Sequence, residues 1–241
     1  MNKDDLPTVI QDIYDAIMSD KWLWCPIWGE PRTGKSTLGL ILSYSVYKDW
    51  DKVLNAVVFS LPQVLHKIKT GLPERWPTRN GLHKRVPYLL WDDFGPFSNK
   101  ARTQFQMLWN YFKGSFDVLG TKVACLFATM VQPSEATQQI QEKYTHELWV
   151  DRRGHYKYDR WHTYQDYKGF RAKGRKTWLD EQEFGEVPTD IFKQYDEMRQ
   201  SLADEALISM SDIMAETELS SVLKRLAVSY THLTLPTKRI V

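Results

Sequence analysis

Apolar positions recur at helical spacing from Leu6 to Met18, where Ile10, Ile13, Tyr14 and Ile17 share one face. An apolar run, Trp22–Trp28, follows and ends at Gly29; it reads as a strand shortened by Pro26, which cannot donate to a sheet ladder. Ser36–Tyr47 reads as a helix, Ala56–Phe59 as a second strand, and Leu61–Ile68 as a helix capped by Ser60. Thr70–Arg85 is loop-like, with Gly71, Pro73, Pro77 and Gly81. Val86–Trp91 is a third strand, and Ala101–Phe112 an amphipathic helix with Phe105, Leu108, Trp109 and Phe112 on one side. Val123–Thr129 is a fourth strand and Glu135–Lys143 a helix. Glu147–Val150 and His155–Tyr164 are strand-like, joined by a turn at Arg153-Gly154, and Ile191–Leu207 and Ile213–Leu226 are helical. Strands alternating with helices predict an α/β fold with a mostly parallel sheet and crossover helices, extended by a C-terminal β-hairpin and terminal helices.

Composition narrows the class. The chain has 241 residues, 42% hydrophobic and 26% charged. That is ordinary for a globular protein and excludes a mostly disordered one. At about 150 residues per domain, one domain with an appendage is expected. Two cysteines exclude a disulfide scaffold; both lie in apolar runs and read as reduced core thiols of a cytoplasmic protein. Neither Leu38–Leu42 nor Val123–Val131 is long and apolar enough to span a bilayer, so no membrane association is expected. Met-Asn-Lys-Asp-Asp starts no signal peptide. The string Val-Ser-Tyr-Thr-His-Leu-Thr-Leu-Pro-Thr, from Val228, resembles a translated sequencing adaptor, so residues 228–241 are expected to be a non-native read-through. That leaves a core over 1–145 and an extension over 146–227.

The chemistry concentrates in two places. Gly29-Glu30-Pro31-Arg32-Thr33-Gly34-Lys35-Ser36 fits G-x-x-x-x-G-K-[ST], with an apolar strand before it and a helix after it. Glycines let backbone N–H groups converge on phosphate oxygens at a helix N-terminus, where the dipole favours an anion. Lys35 would bring a point charge to the β/γ-phosphates of ATP, Ser36 would ligate Mg²⁺, and Thr37 would bond the α-phosphate. Tyr88-Leu89-Leu90-Trp91-Asp92-Asp93 is an apolar strand ending in two carboxylates. Asp92, on a strand expected beside the loop strand, would hold the Mg²⁺ shell. Asp93 would polarise the attacking water as general base.

Two imitations overlap here. Asp92-x-x-Gly95 mimics a GTPase switch, but Asn99-Lys100-Ala101-Arg102 and Thr121-Lys122-Val123-Ala124 lack the aspartate that reads guanine. Asp93-Phe94-Gly95 mimics a kinase magnesium motif without a matching catalytic loop. With the phosphate loop and Trp91-Asp92-Asp93-Phe94-Gly95 together, the stretch Trp22–Lys143 resembles ASCE-class P-loop ATPases, the group that includes AAA+ proteins. It is similar to replication initiators and helicase loaders of the DnaA/DnaC kind and to small ATPases of archaeal viruses and plasmids. The resemblance implies a three-layer P-loop NTPase fold. It also implies a polar γ-phosphate sensor at Thr129, with Gln132 as competitor. The chain departs from the pattern in carrying Asp93 where most AAA+ proteins have Glu, which implies slow hydrolysis. It offers Lys143 before the fifth strand and Arg152 and Arg153 after it, where an arginine finger would stand before, and it shows no AAA+ helical lid.

Net charge is +2, so no bulk field commits the chain to nucleic acid. Its distribution is uneven. Asp151–Asp180 nets +5, with Arg152, Arg153, Lys157, Arg160, Lys168, Arg171, Lys173, Arg175 and Lys176 interleaved with Tyr156, Tyr158, Trp161, Tyr164, Tyr167, Phe170 and Trp178. Cations track phosphates and aromatic faces stack on unpaired bases, so this segment suits DNA or RNA. Tyr156, Tyr158 and Tyr164 share one parity, which instead suits packing on a core. Glu181–Ser220 nets −9 and could pair with the basic segment. The long loop carrying Arg75, Arg79, Lys84 and Arg85 is a second candidate. The resemblance to initiators and loaders, where the region between the two motifs faces DNA, implies DNA contact there. No metal cluster or nucleophile triad stands out. The sum is an ATPase acting on DNA in replication initiation, helicase loading or DNA handling of a virus or mobile element. A homo-oligomer in ATP and a helicase partner are expected possibilities. A translocase or packaging ATPase and a nucleotide-gated binding module with little turnover are the alternatives.

Overall fold

Apolar runs bounded by turns become strands, and in the computed structural model five of them lie parallel in one sheet. The structure describes residues 6–70, 75–79, 81, 84–94, 119–132, 135–136, 138–165, 171–201 and 204. In chain order the elements are α1 (Thr8–Met18), β1 (Leu23–Trp28), α2 (Lys35–Tyr47), α3 (Trp50–Asn55), β2 (Val57–Val58) and α4 (Leu61–Thr70). They continue with β3 (Trp76–Pro77), β4 (Lys84–Trp91), β5 (Val123–Met130), α5 (Gln138–Gln141), β6 (His146–Arg152), β7 (His155–Gln165) and β8 (Arg171–Glu183). The expected helices at Ala101–Phe112 and Ile213–Leu226, and the string from Val228, lie outside the described residues. Residues Met1–Ile191 form one compact unit and Phe192–Val241 another, whose described part is helical over 192–201.

The sheet has eight strands in the order β2-β4-β5-β1-β6-β7-β8, with β3 on β4 off this path. β2, β4, β5, β1 and β6 are mutually parallel; β7 and β8 add antiparallel strands. The carboxylate-bearing β4 is therefore not beside the loop strand β1, as the sequence reading expected. β5 intervenes, pairing Ile27 with Thr129 on one side and Trp91 with Ala128 on the other. Strands buried on both faces read as continuous apolar runs, as β1, β5 and the Val86–Trp91 part of β4 do.

Both faces are covered. On one, α1 and α2 pack on β1, β4 and β5: Tyr88 Oη donates to the Gly39 carbonyl at 3.0 Å, and the Cys125 thiol points at the Ile13 carbonyl. On the other, Trp24, Leu89, Trp91, Leu126, Ala128 and Met130 gather with Val64, Phe94, Leu119, Ile140 and Tyr144. Burial pushes both thiols, Cys25 and Cys125, well above the usual cysteine range, so they are inert core groups.

Pro26 is tolerated in this central strand for a geometric reason. Trp24 turns its carbonyl and N–H toward Thr145, whose N–H and hydroxyl answer at 3.1 and 3.2 Å. Two residues on, Pro26 faces the same way, so its missing N–H falls on the β6 side. β6 begins to pair with β1 only at Ile27. Ser60 caps α4 with a long 3.5 Å bond from the Gln63 N–H, while Gln63 Oε1 accepts the Phe59 N–H at 2.7 Å.

The loop expected over Thr70–Arg85 contains β3 and the start of β4, and Arg85 is not a surface cation. It is 3% exposed, and its guanidinium donates to the carbonyls of Ala16 (2.7 Å), Lys21 (2.9 Å), Gly120 (3.2 Å) and Ser19. It thus closes the C-terminal end of α1, where a cation meets the negative end of the helix. Its burial in a carbonyl cage removes it from the group of DNA candidates.

Candidate functional site

The loop between β1 and α2 has the backbone its glycines permit. Gly29 adopts φ +154°, and a Cβ there would sit 2.3 Å from the Val150 carbonyl oxygen of β6. No other residue fits so close to a neighbouring strand. Gly34 caps α2 at φ +99°, and Arg32 is also left-handed at φ 67°. The first-turn N–H groups of α2 lack intrahelical partners, so they and the dipole form an anion-favouring end. Lys35 Nζ folds back onto the loop, donating to the carbonyls of Gly29 (2.9 Å) and Glu30 (2.7 Å). Thr33 Oγ1 donates to the Glu30 carbonyl at 2.9 Å. The ammonium is thereby held at the mouth of the turn.

Across the sheet, Ser36 Oγ donates to Asp92 Oδ1 at 2.8 Å. Thr129 Oγ1 donates to the same oxygen at 2.7 Å and accepts the Asp93 N–H at 2.8 Å. Asp92 is 0% exposed and Thr129 2%. Ser36, Asp92, Asp93 and Thr129 therefore form one hydrogen-bonded group: β5 supplies Thr129, which bonds Asp92 and the Asp93 backbone, and Ser36 at the start of α2 joins through Asp92. Asp93 is left-handed at φ 52°, an uncommon backbone for a non-glycine residue and one that aspartate tolerates. The turn is clamped by aromatic packing. Phe94 is fully buried, edge-on to Trp91 (centroids 4.8 Å, 86°) and to Trp24 (5.9 Å, 65°).

The donor set suits a hard cation. Mg²⁺ uses one or two protein oxygens with waters and phosphates rather than a full protein cage. A hydroxyl and a buried carboxylate 2.8 Å apart meet that need. Among the described residues no group of three or more His, Cys, Asp or Glu could hold a metal by itself. Gln132, the alternative to Thr129, is exposed beyond the end of β5, and no bond joins it to this group among the described residues.

The basic extension is less open than its charge implies. Arg160 bonds Asp12 (3.2 and 3.3 Å), and its Nε–H donates to His146 Nε2 at 2.9 Å. Lys176 bridges Glu147 (2.6 Å) and Asp159 (2.8 Å). Burial would lower the Lys176 pKa, but those two carboxylates raise it above the ordinary lysine value. Lys157 lies over the Trp149 ring at 5.1 Å and 3.5 Å from Asp151. Tyr156 and Tyr158 are buried, as their parity suggested, and Tyr158 Oη donates to Asp12 at 3.0 Å. Arg75, Arg79, Arg152 and Arg153 are exposed; Arg153 makes a 3.5 Å contact with Glu186, and Arg75 bonds the Ile68 carbonyl. The side chains of Arg171, Lys173 and Arg175, and Tyr164 with them, lie outside the described part.

Sequence reasoning missed Phe184. The segment after β8 returns to the phosphate-type loop, and the Phe184 ring lies 3.4 Å from where a Gly34 Cβ would be. No motif marks it: it is one aromatic in an acidic stretch 150 residues beyond the loop. No family model, curated protein or solved structure matches the chain. Among the described residues no helix is long and apolar enough to cross a membrane.

Proposed function

We propose that the chain binds ATP with Mg²⁺ at Gly29–Thr37 and Asp92 and hydrolyses it, acting on DNA in the replication or DNA handling of a virus or mobile element. The observation that carries this reading is the 2.8 Å bond from Ser36 Oγ to the fully buried Asp92 carboxylate. It joins the two sequence motifs, 56 residues apart, at one point. The metal, when bound, neutralises charge on the β- and γ-phosphate oxygens.

The chain's own groups divide the rest. The N–H groups at the start of α2 and the Lys35 ammonium bind the phosphates, Lys35 exchanging loop carbonyls for phosphate oxygens. Asp93 orients a water and takes its proton as the water oxygen bonds the γ-phosphorus and the β–γ bridging bond breaks, releasing ADP and phosphate. Thr129 fixes Asp92 through its hydroxyl and the Asp93 backbone through its acceptor, so it positions both carboxylates. A second reading, a nucleotide-gated binding module with little turnover, is favoured by the short reach of Asp93. The exposed Arg75, Arg79 and Arg152 support DNA contact more than Arg153, Lys157, Arg160 and Lys176, whose charges are met by carboxylates.

The test is ATP binding and phosphate release, with and without single- and double-stranded DNA, for the wild type and Lys35→Ala. Loss of ATP binding in the variant is expected; unchanged affinity would overturn the site. Phosphate release by the wild type selects hydrolysis, and binding without release selects the gated module.

A further inference from the structure

The phosphate site described above has a wall that the motif does not supply. Phe184 follows β8, and its N–H donates to the Gly154 carbonyl at 2.7 Å in the β6–β7 turn. Its ring is tilted against Tyr156, with centroids 6.3 Å apart. These contacts hold it beside the last glycine of the loop. The Cζ and Cε2 atoms lie 3.4 and 3.6 Å from the Gly34 Cβ position, and Thr37 Cβ lies 4.0 Å from that same point. The ring is half-buried, so part of it stays open.

The polarity of the phosphate chain decides what meets this ring. Lys35 and the Ser36–Asp92 pair mark the β/γ end; Thr37, a residue further into α2, marks the α end. A ribose and base must leave the loop from the α end, which is the Gly34–Thr37 side where Phe184 stands. An aromatic face there has no hydrogen-bond code, and stacking accepts any base because every base has a π-face. Resting on the phosphate-loop reading, we infer that Phe184 is the base-contacting residue of this site, set there by the β6–β7–β8 extension. It distinguishes a nucleotide from bare polyphosphate while discriminating little between adenine and guanine.

Equilibrium binding of ATP, GTP and inorganic tripolyphosphate, each with Mg²⁺, tests this on the full chain for the wild type, Phe184→Ala, Phe184→Leu and Phe184→Trp. Phe184→Ala and Phe184→Leu should each weaken ATP and GTP by about 10-fold and leave tripolyphosphate unchanged, while Phe184→Trp keeps nucleotide affinity. Leucine retains apolar packing on Gly34 without a stacking face, so it serves if the alanine variant does not fold. An equal loss for tripolyphosphate would make Phe184 a support of the loop and overturn the inference, as would unchanged ATP affinity. A preference of more than about 10-fold for one purine would overturn the lack of discrimination. A wild type that binds neither ATP nor tripolyphosphate overturns the phosphate-loop reading, and this inference with it.

Discussion

Thr129→Val removes one oxygen and keeps the shape, and the structure says what that oxygen does. It donates to Asp92 Oδ1 at 2.7 Å and accepts the Asp93 N–H at 2.8 Å. The first bond goes to a carboxylate with no exposed surface, so its loss belongs with bonds to charged groups, roughly 1.5–3 kcal/mol; the second adds roughly 1 kcal/mol. The variant should therefore lose about 2.5–4 kcal/mol of stability. At roughly 2–4 °C per kcal/mol for a chain of this size, that is a Tm lower by about 5–15 °C. Thr129→Ser, which keeps the hydroxyl, should recover most of it. Thermal or urea unfolding checks the stability, and phosphate release below the transition checks the chemistry. Release should fall well beyond what unfolded protein explains, because both carboxylates lose their positioning group. A valine variant as stable as the wild type would refute the bridging geometry. One that is destabilised yet turns over normally would refute the positioning role.

Arg85→Met should cost about 3 kcal/mol or more, because four carbonyls lose a charged donor at the end of α1; equilibrium unfolding measures it, and a loss under about 1 kcal/mol would contradict the cage. Burial holds His146 down to about 4, a shift that Asp12 opposes and Arg160 reinforces, and the Arg160 Nε–H on its Nε2 leaves the ring proton on Nδ1. The unfolded ring binds protons nearer pH 6.5, so stability present above that pH is lost on acidification toward pH 4, about 2 kcal/mol by pH 5. His146→Gln should flatten that part of the pH–stability curve, and an unchanged slope would contradict it. If about four phosphates are neutralised, log K for DNA should fall with log[salt] at a slope near −3.6, and a flat response would remove the basic extension from DNA binding. Arg160→Ala and Lys176→Ala should alter stability more than that slope.

The parallel core was legible because its strands are short apolar runs closed by turn residues, and because the glycines of Gly29–Ser36 are spaced for a turn that backbone must enter closely. What was not legible was the order of strands. Asp92 and Ser36 meet although β5 lies between β4 and β1, the strand that leads into Ser36's loop, and no local pattern of β4 or β5 encodes that insertion. β8 was missed because the sequence Arg171–Glu183 has charged residues at both odd and even positions, so apolar alternation never appears; Lys176 pairs with Glu147 and Asp159 instead of packing as an apolar residue would. Arg85 looked like a loop cation because a charge followed by an apolar run marks a strand start equally well, and the carbonyls that bury it come from α1, the residues just after it and Gly120. Phe184 depends on a chain return that spacing does not record.

In the proposed function the loop and Asp92 form one magnesium-dependent phosphate site. Calorimetric titration of ATP into the wild type, Ser36→Ala and Asp92→Asn, with Mg²⁺ and with chelator, tests it most directly. Tight binding is expected only in the wild type with Mg²⁺, with a loss in both variants that chelator does not deepen. ATP binding that ignores Mg²⁺, or that survives both substitutions unchanged, would contradict it.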